Sequence, residues 1–276
     1  MKSARILVVL ALAVNLFSAC AHYGDATIAL SPVAPVFDRI LKKGELVVGT
    51  AGSMPPFNMT TMDGKVIGFE ADLAGYIADA MGVKLRLELM PFSELLPALE
   101  AGKVHMILSS MTMTPERNLR VAFVGPYFIS GKAVLTKIET IASIKDFSEI
   151  DHPKITLAAI KGSTSQAFVE EVLPKAKLVT TKDYDEAVQM VIQGKVHAMV
   201  ADYPICVISV FRYPGKGLLS VVDPFTYEPI GIAVPPNDPL LVNWLQNFLD
   251  TLEGSGELEK LKADWFEDGS WIRELR

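Results

Sequence analysis

Hydrophobic positions along the chain change period repeatedly, and the changes mark out alternating strands and helices. Leu46-Val47-Val48 is a short buried strand, followed by a loop from Gly49 to Pro56. Between Phe69 and Met81, Leu73 and Ile77 stand four apart, the spacing of one helical face, and Gly82 supplies the stop. Val83, Leu85, Leu87 and Leu89 then alternate with Lys84, Arg86 and Glu88, a half-buried strand of period two. Farther on, Ile155 to Ile160 reads as a strand, Gly162 to Ser165 as a loop, and Gln166 as the start of a helix. Leu218 to Val222 and Ile230 to Val234 are further strands. Asp238-Pro239 is a cap followed by a preset first helical residue, opening a helix with Trp244, Phe248 and Leu252 on one face. This alternation predicts an α/β fold of mainly parallel sheets with helices on both faces.

Two stretches echo each other. Residues 94–110 read ELLPALEAGKVHMILSS, and residues 186–202 read EAVQMVIQGKVHAMVAD. Each predicts an amphipathic helix, a left-handed glycine stop at Gly102 or Gly194, a buried strand and a polar end. The echo points to two similar lobes, each offering a strand end at the same place: Ser110 in one, Asp202 in the other. In such sheets ligands bind beyond the carboxyl ends of strands, where Ser110, Asp202 and the 162–165 loop all fall.

The chemistry at these ends is that of anion and cation recognition. Thr114-Pro115 reads as a helix cap and first residue, which places Arg117 in the first turn, where a cation opposes the helix dipole. That placement makes sense if Arg117 turns toward an anion, to which Ser110 and Thr112 can also donate. The 162–165 loop can present open N–H groups to a carboxylate, or can be a plain cap. Asp202 is either a cap for the helix beginning near Pro204 or a partner for a cation. Arg117 and Asp202 together would read a zwitterion, and removal of either is expected to leave the fold intact. His105 and His197 occupy equivalent turns and read as structural; Glu70 and Asp72 read as a solvated, dipole-favoured pair at a helix start. No histidine pair has zinc-like spacing, and no nucleophile–base set suggests itself, so neither metal nor cofactor is expected.

Composition narrows the function classes. The chain has 276 residues and a formal charge of −6, enough for one large domain or two modest ones. The acidic balance, with no basic run to offset it, argues against nucleic acid. Lys2 and Arg5, the apolar stretch Ile6 to Phe17 and the small residues Ser18-Ala19-Cys20-Ala21 form a secretory signal peptide over residues 1–20. Ala19-Cys20-Ala21 fits ordinary release, and Phe17-Ser18-Ala19-Cys20 a lipoprotein box with Cys20 lipidated; a lone exported cysteine favours the second. Cys206, in an apolar run, is a small buried hydrophobe.

Seven stretches, in order, resemble the polar-amino-acid solute-binding proteins of ABC importers: GTAGSMPPF (49–57), GFEADLAGYIADAMG (68–82), ELLPALEAGKVHMILSSMTMTPER (94–117), VAFVGPYFISG (121–131), KGSTSQAF (161–168), GKVHAMVADYP (194–204) and LEGSGELEKLKADWF (252–266). The resemblance implies a two-lobed periplasmic-binding-protein-like fold of type II, each lobe a mainly parallel sheet flanked by helices. Lobe one would span 35–128 and 228–276, lobe two 129–227, with two hinge strands crossing near 126–131 and 226–231. It also implies a monomeric, non-catalytic carrier at the outer face of the membrane that delivers an amino acid to an ABC permease. A cyclohexadienyl dehydratase-like secreted enzyme on the same fold, or a sensing subunit of a membrane receptor, are the alternatives. Such dehydratases place a catalytic glutamate where Gln166 stands, and glutamine cannot serve as general acid or base. Carried over by residue, Arg117 and Thr164 match the carboxylate contacts, Ser110 and Thr112 their neighbours, Asp202 the ammonium-binding acid and Phe92 a pocket wall. Ala51 stands where many members have Asp, and Met54 where many have an aromatic. A pocket of Met54, Phe92 and Ala51 would suit a neutral side chain, whereas Lys161, if turned inward, would favour an acidic one.

Overall fold

Residues 34–221 and 223–275 are described by a computed structural model of the chain; the expected signal peptide and Cys20 lie outside them. Two five-stranded sheets form the framework. The first has the strand order Lys84–Leu89, Glu45–Thr50, Met106–Ile107, Glu228–Val234, Ala122–Ser130. The second has the order Lys177–Thr181, Thr156–Ile160, Ala198–Asp202, Lys132–Thr136, Leu219–Ser220. In each, only the fourth strand runs against the others, since both of its pairings are antiparallel and the remaining two are parallel. The expected mainly parallel α/β architecture is therefore what the chain adopts.

Local signals place the elements. The helix Phe69–Met81 ends at Gly82, whose φ of 68° is the left-handed conformation that closes a helix. The strand Lys84–Leu89 lies at a sheet edge, which is why it alternates and stays half-buried. The helix Thr164–Val172 starts two residues earlier than Gln166, because Ser163 caps it by accepting from the Gln166 N–H. In the helix Pro239–Ser255 the fully buried face is Leu241, Leu245 and Leu249. Trp244, Phe248 and Leu252 pack only partly buried beside it, with the Trp244 and Phe248 rings stacked at 5.5 Å. The sequence pattern drew attention to the larger side chains, but the leucines hold this helix to the sheet, each by about 1.5–3 kcal/mol of apolar burial.

The echo is a structural repeat down to single hydrogen bonds. His105 follows the helix Phe92–Glu100, and its Nδ1 accepts from the Val47 N–H at 3.1 Å while its own N–H donates to the Val47 carbonyl. His197 follows the helix Tyr184–Ile192 and does the same with the N–H and carbonyl of Thr156, at 3.0 and 2.9 Å. Each imidazole thus ties an apolar strand to the turn before its neighbour. Burial, together with Arg39 and Lys43, depresses the His105 pKa to about 4, so the ring stays a neutral acceptor at pH 7.

The chain passes between the sheets twice. Ala122–Ser130 belongs to the first sheet and Lys132–Thr136 to the second, with Gly131 alone between them. A Cβ on Gly131 would collide with the Thr226 carbonyl oxygen, so the close approach of the outgoing and returning segments requires glycine. The return runs from Leu219–Ser220 into Glu228–Val234.

Candidate functional site

Strand ends from both sheets converge. After Met106–Ile107, the segment 110–113 lies along the returning strand: the Met113 N–H donates to the Pro229 carbonyl at 2.7 Å, and the Gly231 N–H to Met111 at 3.1 Å. This sets Thr112 opposite Ile230 of that strand. Ser110 has φ 50°, the left-handed region that a side chain enters at a cost of about 1–2 kcal/mol. The twist turns its N–H to Glu70 Oε1 at 2.6 Å and its hydroxyl to Asp202 Oδ2 at 3.1 Å. Backbone strain held by flanking hydrogen bonds in this way is a frequent mark of binding sites.

Arg117 is placed by the expected cap: the Thr114 hydroxyl accepts from the Arg117 N–H, and Pro115 opens the short helix. The guanidinium turns inward across the cleft. It donates to the Thr112 carbonyl at 2.8 Å and to the Gly162 carbonyl at 3.3 Å, and lies 5.7 Å from the centre of the Phe92 ring. Burial pulls its pKa down, with Asp202, Glu228 and Glu116 opposing; an arginine nevertheless stays charged. Among the described residues it has no carboxylate within 4.0 Å, so its charge is available.

Asp202 sits at the N-cap position of the helix Tyr203–Arg212, yet its side chain caps nothing. It pairs with a cation, and that cation belongs to the protein. Lys132 stands opposite Asp202 in the antiparallel register, so both side chains leave the same face of the sheet. Its ammonium donates to Asp202 Oδ1 and to Thr164 Oγ1, each at 2.7 Å, and lies 3.3 Å from Glu228 Oε2. Two hydrogen bonds and one further ion-pair contact thus surround a lysine whose side chain is 1% exposed. Thr164 Oγ1 also lies 3.2 Å from Glu228 Oε2 and 3.3 Å from Thr112 Oγ1, closing a network across the cleft.

Six of the eight residues expected to bind ligand, Met54, Phe92, Ser110, Thr112, Thr164 and Asp202, wall one cavity, together with Lys132, Ser163, Ser165 and Tyr184. Its volume is about 10 Å³, room for roughly one water, so any larger occupant requires its walls to part. Arg117 lies at the adjoining cleft of about 400 Å³, shared with Thr164 and Glu228. Ala51 lines neither; its N–H donates to Ser109 Oγ at 2.9 Å, and that hydroxyl lies 3.8 Å from Met54 Sδ. Lys161 is exposed, and the cation that faces the cavity is Lys132.

Sequence reasoning passed over Lys132 and Glu228. The available signal was a lysine opening the mostly apolar strand Lys132–Thr136 (KAVLT), all of whose residues are buried. Glu70 also departs from its expected solvated role. It is 1% exposed and accepts from Ser110 N, Asn58 Nδ2 and the Tyr127 hydroxyl. Desolvation raises its pKa to about 7 against those three donors, with Asp202 adding repulsion. Asp72 stays exposed, as expected; Trp265 donates to it, and partial desolvation raises its pKa. Among the described residues no cluster of histidine, cysteine and carboxylates has the makings of a metal site, and no helix is long and apolar enough to cross a membrane.

Comparison with known proteins places this geometry. The chain is 27% identical to the ABC transporter arginine-binding protein 1 of Escherichia coli, over 79% of this chain and 89% of that protein. It is 26% identical to the cyclohexadienyl dehydratase of Pseudomonas aeruginosa, over 83% of this chain and 85% of that enzyme. The crystal structure of an ancestral amino acid-binding protein, a precursor of cyclohexadienyl dehydratase, superposes with a TM-score of 0.78 at 36% identity, covering 83% of this chain and 99% of that one. Residues 46–268 match the model of the bacterial extracellular solute-binding proteins, family 3, and the chain belongs to that family.

Proposed function

We propose that this protein captures an amino acid in the cleft between its two sheets, outside the cytoplasm, and hands it to an ABC importer. The observation that carries the reading is the inward-turned Arg117 guanidinium, free of any carboxylate among the described residues and set across the cleft from Asp202 and Glu228. A ligand carboxylate takes the guanidinium and the N–H groups at the start of the helix Thr164–Val172, and the α-ammonium faces the two acids. Ser110 and Thr112 supply further polar contacts, and Phe92 and Met54 wall the side-chain end. Residues 35–128 with 228–276 act as one lobe and 129–227 as the other. Their closure around the ligand, of the kind known for periplasmic binding proteins, follows from contacts that only the closed state offers. Lipidation of Cys20 keeps the mature chain at the membrane surface.

The dehydratase relative supports a second reading, an enzyme built on the same cleft. Gln166 weighs against it. Its Oε1 accepts from the Gly162 N–H at 2.7 Å and its Nε2 donates to Glu170 at 2.9 Å, so it braces the loop and has no proton to give.

A thermal-shift screen tests both readings. The full chain, unfolded and refolded to release carried ligand, is heated with each of the twenty amino acids and with cyclohexadienyl acids. A ligand at about 100 times its Kd stabilises by ~2.7 kcal/mol. Stabilisation by an amino acid is expected; dehydration of a cyclohexadienyl acid, followed by absorbance of the aromatic product, would overturn the carrier reading.

A further inference from the structure

The buried lysine changes what the cleft asks of its ligand. With an acid from the second sheet alone, the ligand's ammonium would be needed to neutralise Asp202. Here Lys132 already does so at 2.7 Å, and Glu228 is added as a second acid at 3.3 Å from the same ammonium. The side chains of Asp202 and Glu228 are 5% and 12% exposed, so water screens neither well. Four charged groups therefore face one another across the cleft: Arg117 and Lys132 against Asp202 and Glu228. They sum to zero. Glu116 and Glu171 also line the outer cleft, but both are exposed and screened by water, while Glu70 is buried and turned away, its oxygens taken by Ser110 N, Asn58 and Tyr127.

Resting on the amino-acid reading above, we propose that Lys132 and Glu228 set the net charge of the ligand. A net-neutral zwitterion keeps every charge paired. Its carboxylate satisfies Arg117, and its ammonium joins Lys132 against the two acids. A cationic amino acid brings one positive charge too many, and an acidic one a negative charge too many; an unpaired charge in a closed cleft is disfavoured. Lys132 is already held by hydrogen bonds to Asp202 and Thr164 and by the ion pair with Glu228. Its part is electrostatic and positional, and Glu228 gives the incoming ammonium an acceptor that Lys132 does not fully consume. The zero sum thus makes a prediction about charge alone, separate from the apolar walls at Met54 and Phe92.

The test is a pair of opposite charge changes of nearly constant shape. Lys132→Met removes a positive charge, and Glu228→Gln removes a negative one. Refolded full-length wild type and both variants are titrated calorimetrically with glutamine, lysine, arginine and glutamate, and with whichever amino acid stabilises the wild type most. The wild type is expected to prefer a neutral ligand. Lys132→Met should shift the lysine-to-glutamine affinity ratio at least tenfold toward lysine, and Glu228→Gln should shift the glutamate-to-glutamine ratio at least tenfold toward glutamate. A merely structural role would weaken all ligands together. Wild type binding a charged amino acid tightest, or the two variants moving charge preference in the same direction or by less than twofold, overturns the proposal while leaving amino-acid capture intact. Absence of all amino-acid binding in the wild type overturns the parent reading, and this one with it. If Lys132→Met does not refold, Glu228→Gln alone decides.

Discussion

Replacing Arg117 by alanine separates ligand recognition from folding. In the protein as it stands the guanidinium makes two hydrogen bonds to carbonyls, at 2.8 and 3.3 Å, and packs over Phe92. Each net hydrogen bond contributes about 1 kcal/mol, so the fold should lose about 2 kcal/mol. Ligand binding should lose more. Two of five donors are engaged with carbonyls, which leaves the rest of the fork for a carboxylate. Removing the cation strands that carboxylate unpaired, at a cost of ~2–5 kcal/mol, or a factor of about 30 to 5,000 in Kd. Arg117→Lys keeps the charge and loses the planar fork, and should fall between. Isothermal titration of refolded wild type and variants with the best amino acid measures the loss, and circular dichroism melting checks the fold. Binding by Arg117→Ala within threefold of wild type would refute the assignment of the carboxylate site.

Asp202 should behave differently from Arg117: Asp202→Ala leaves Lys132 buried against Glu228 alone, so chemical denaturation should show a loss of about 3 kcal/mol that Arg117→Ala lacks. The expectation that both variants spare the fold therefore does not survive for Asp202. His105, whose pKa falls from 6.5 to about 4 on folding, stabilises the fold above pH 6.5, and that contribution is lost as pH falls through 4. Glu70 has the opposite sign: raised from 4.5 to about 7, it favours the fold below pH 4.5, and the advantage is lost as pH rises through 7. Denaturation across pH 4–8 should therefore change slope oppositely in His105→Gln and Glu70→Gln, and a parallel change in both would contradict the assignments. Cys20→Ser should move the protein from the membrane fraction to the soluble one or leave it unprocessed; an intact mass showing an unlipidated N-terminus after Ala21 in the wild type would rule out the anchor.

What could be read from the sequence was what is encoded locally. Gly82, Thr114-Pro115 and Asp238-Pro239 end or begin helices through their own side chains and backbone, so the helix Phe69–Met81 and the turn carrying Arg117 were legible to the residue. The repeated Gly-Lys-Val-His also carried its meaning, because both copies fold into the same turn with the same histidine bond. The Lys132–Asp202 pair depends instead on register: seventy positions separate the two residues, and only the antiparallel alignment of their strands sets them opposite. Glu70 misled for the same reason. Acidic residues at helix starts usually face water, and nothing near it in sequence announces Tyr127 or the Ser110 N–H. The apolar run at Leu241–Leu252 gave the helix but not its buried face, since which stripe packs is decided by the sheet beneath.

The most direct test of amino-acid capture is a crystal structure of the refolded protein with the amino acid that stabilises it most. The account expects one ligand in the cleft, its carboxylate within hydrogen-bonding distance of the Arg117 guanidinium and the Thr164 end of its helix, and its ammonium between Asp202 and Glu228 with Lys132 still in place. A ligand bound elsewhere, or one whose carboxylate rests on Lys132 while Arg117 stays on its carbonyls, would contradict it.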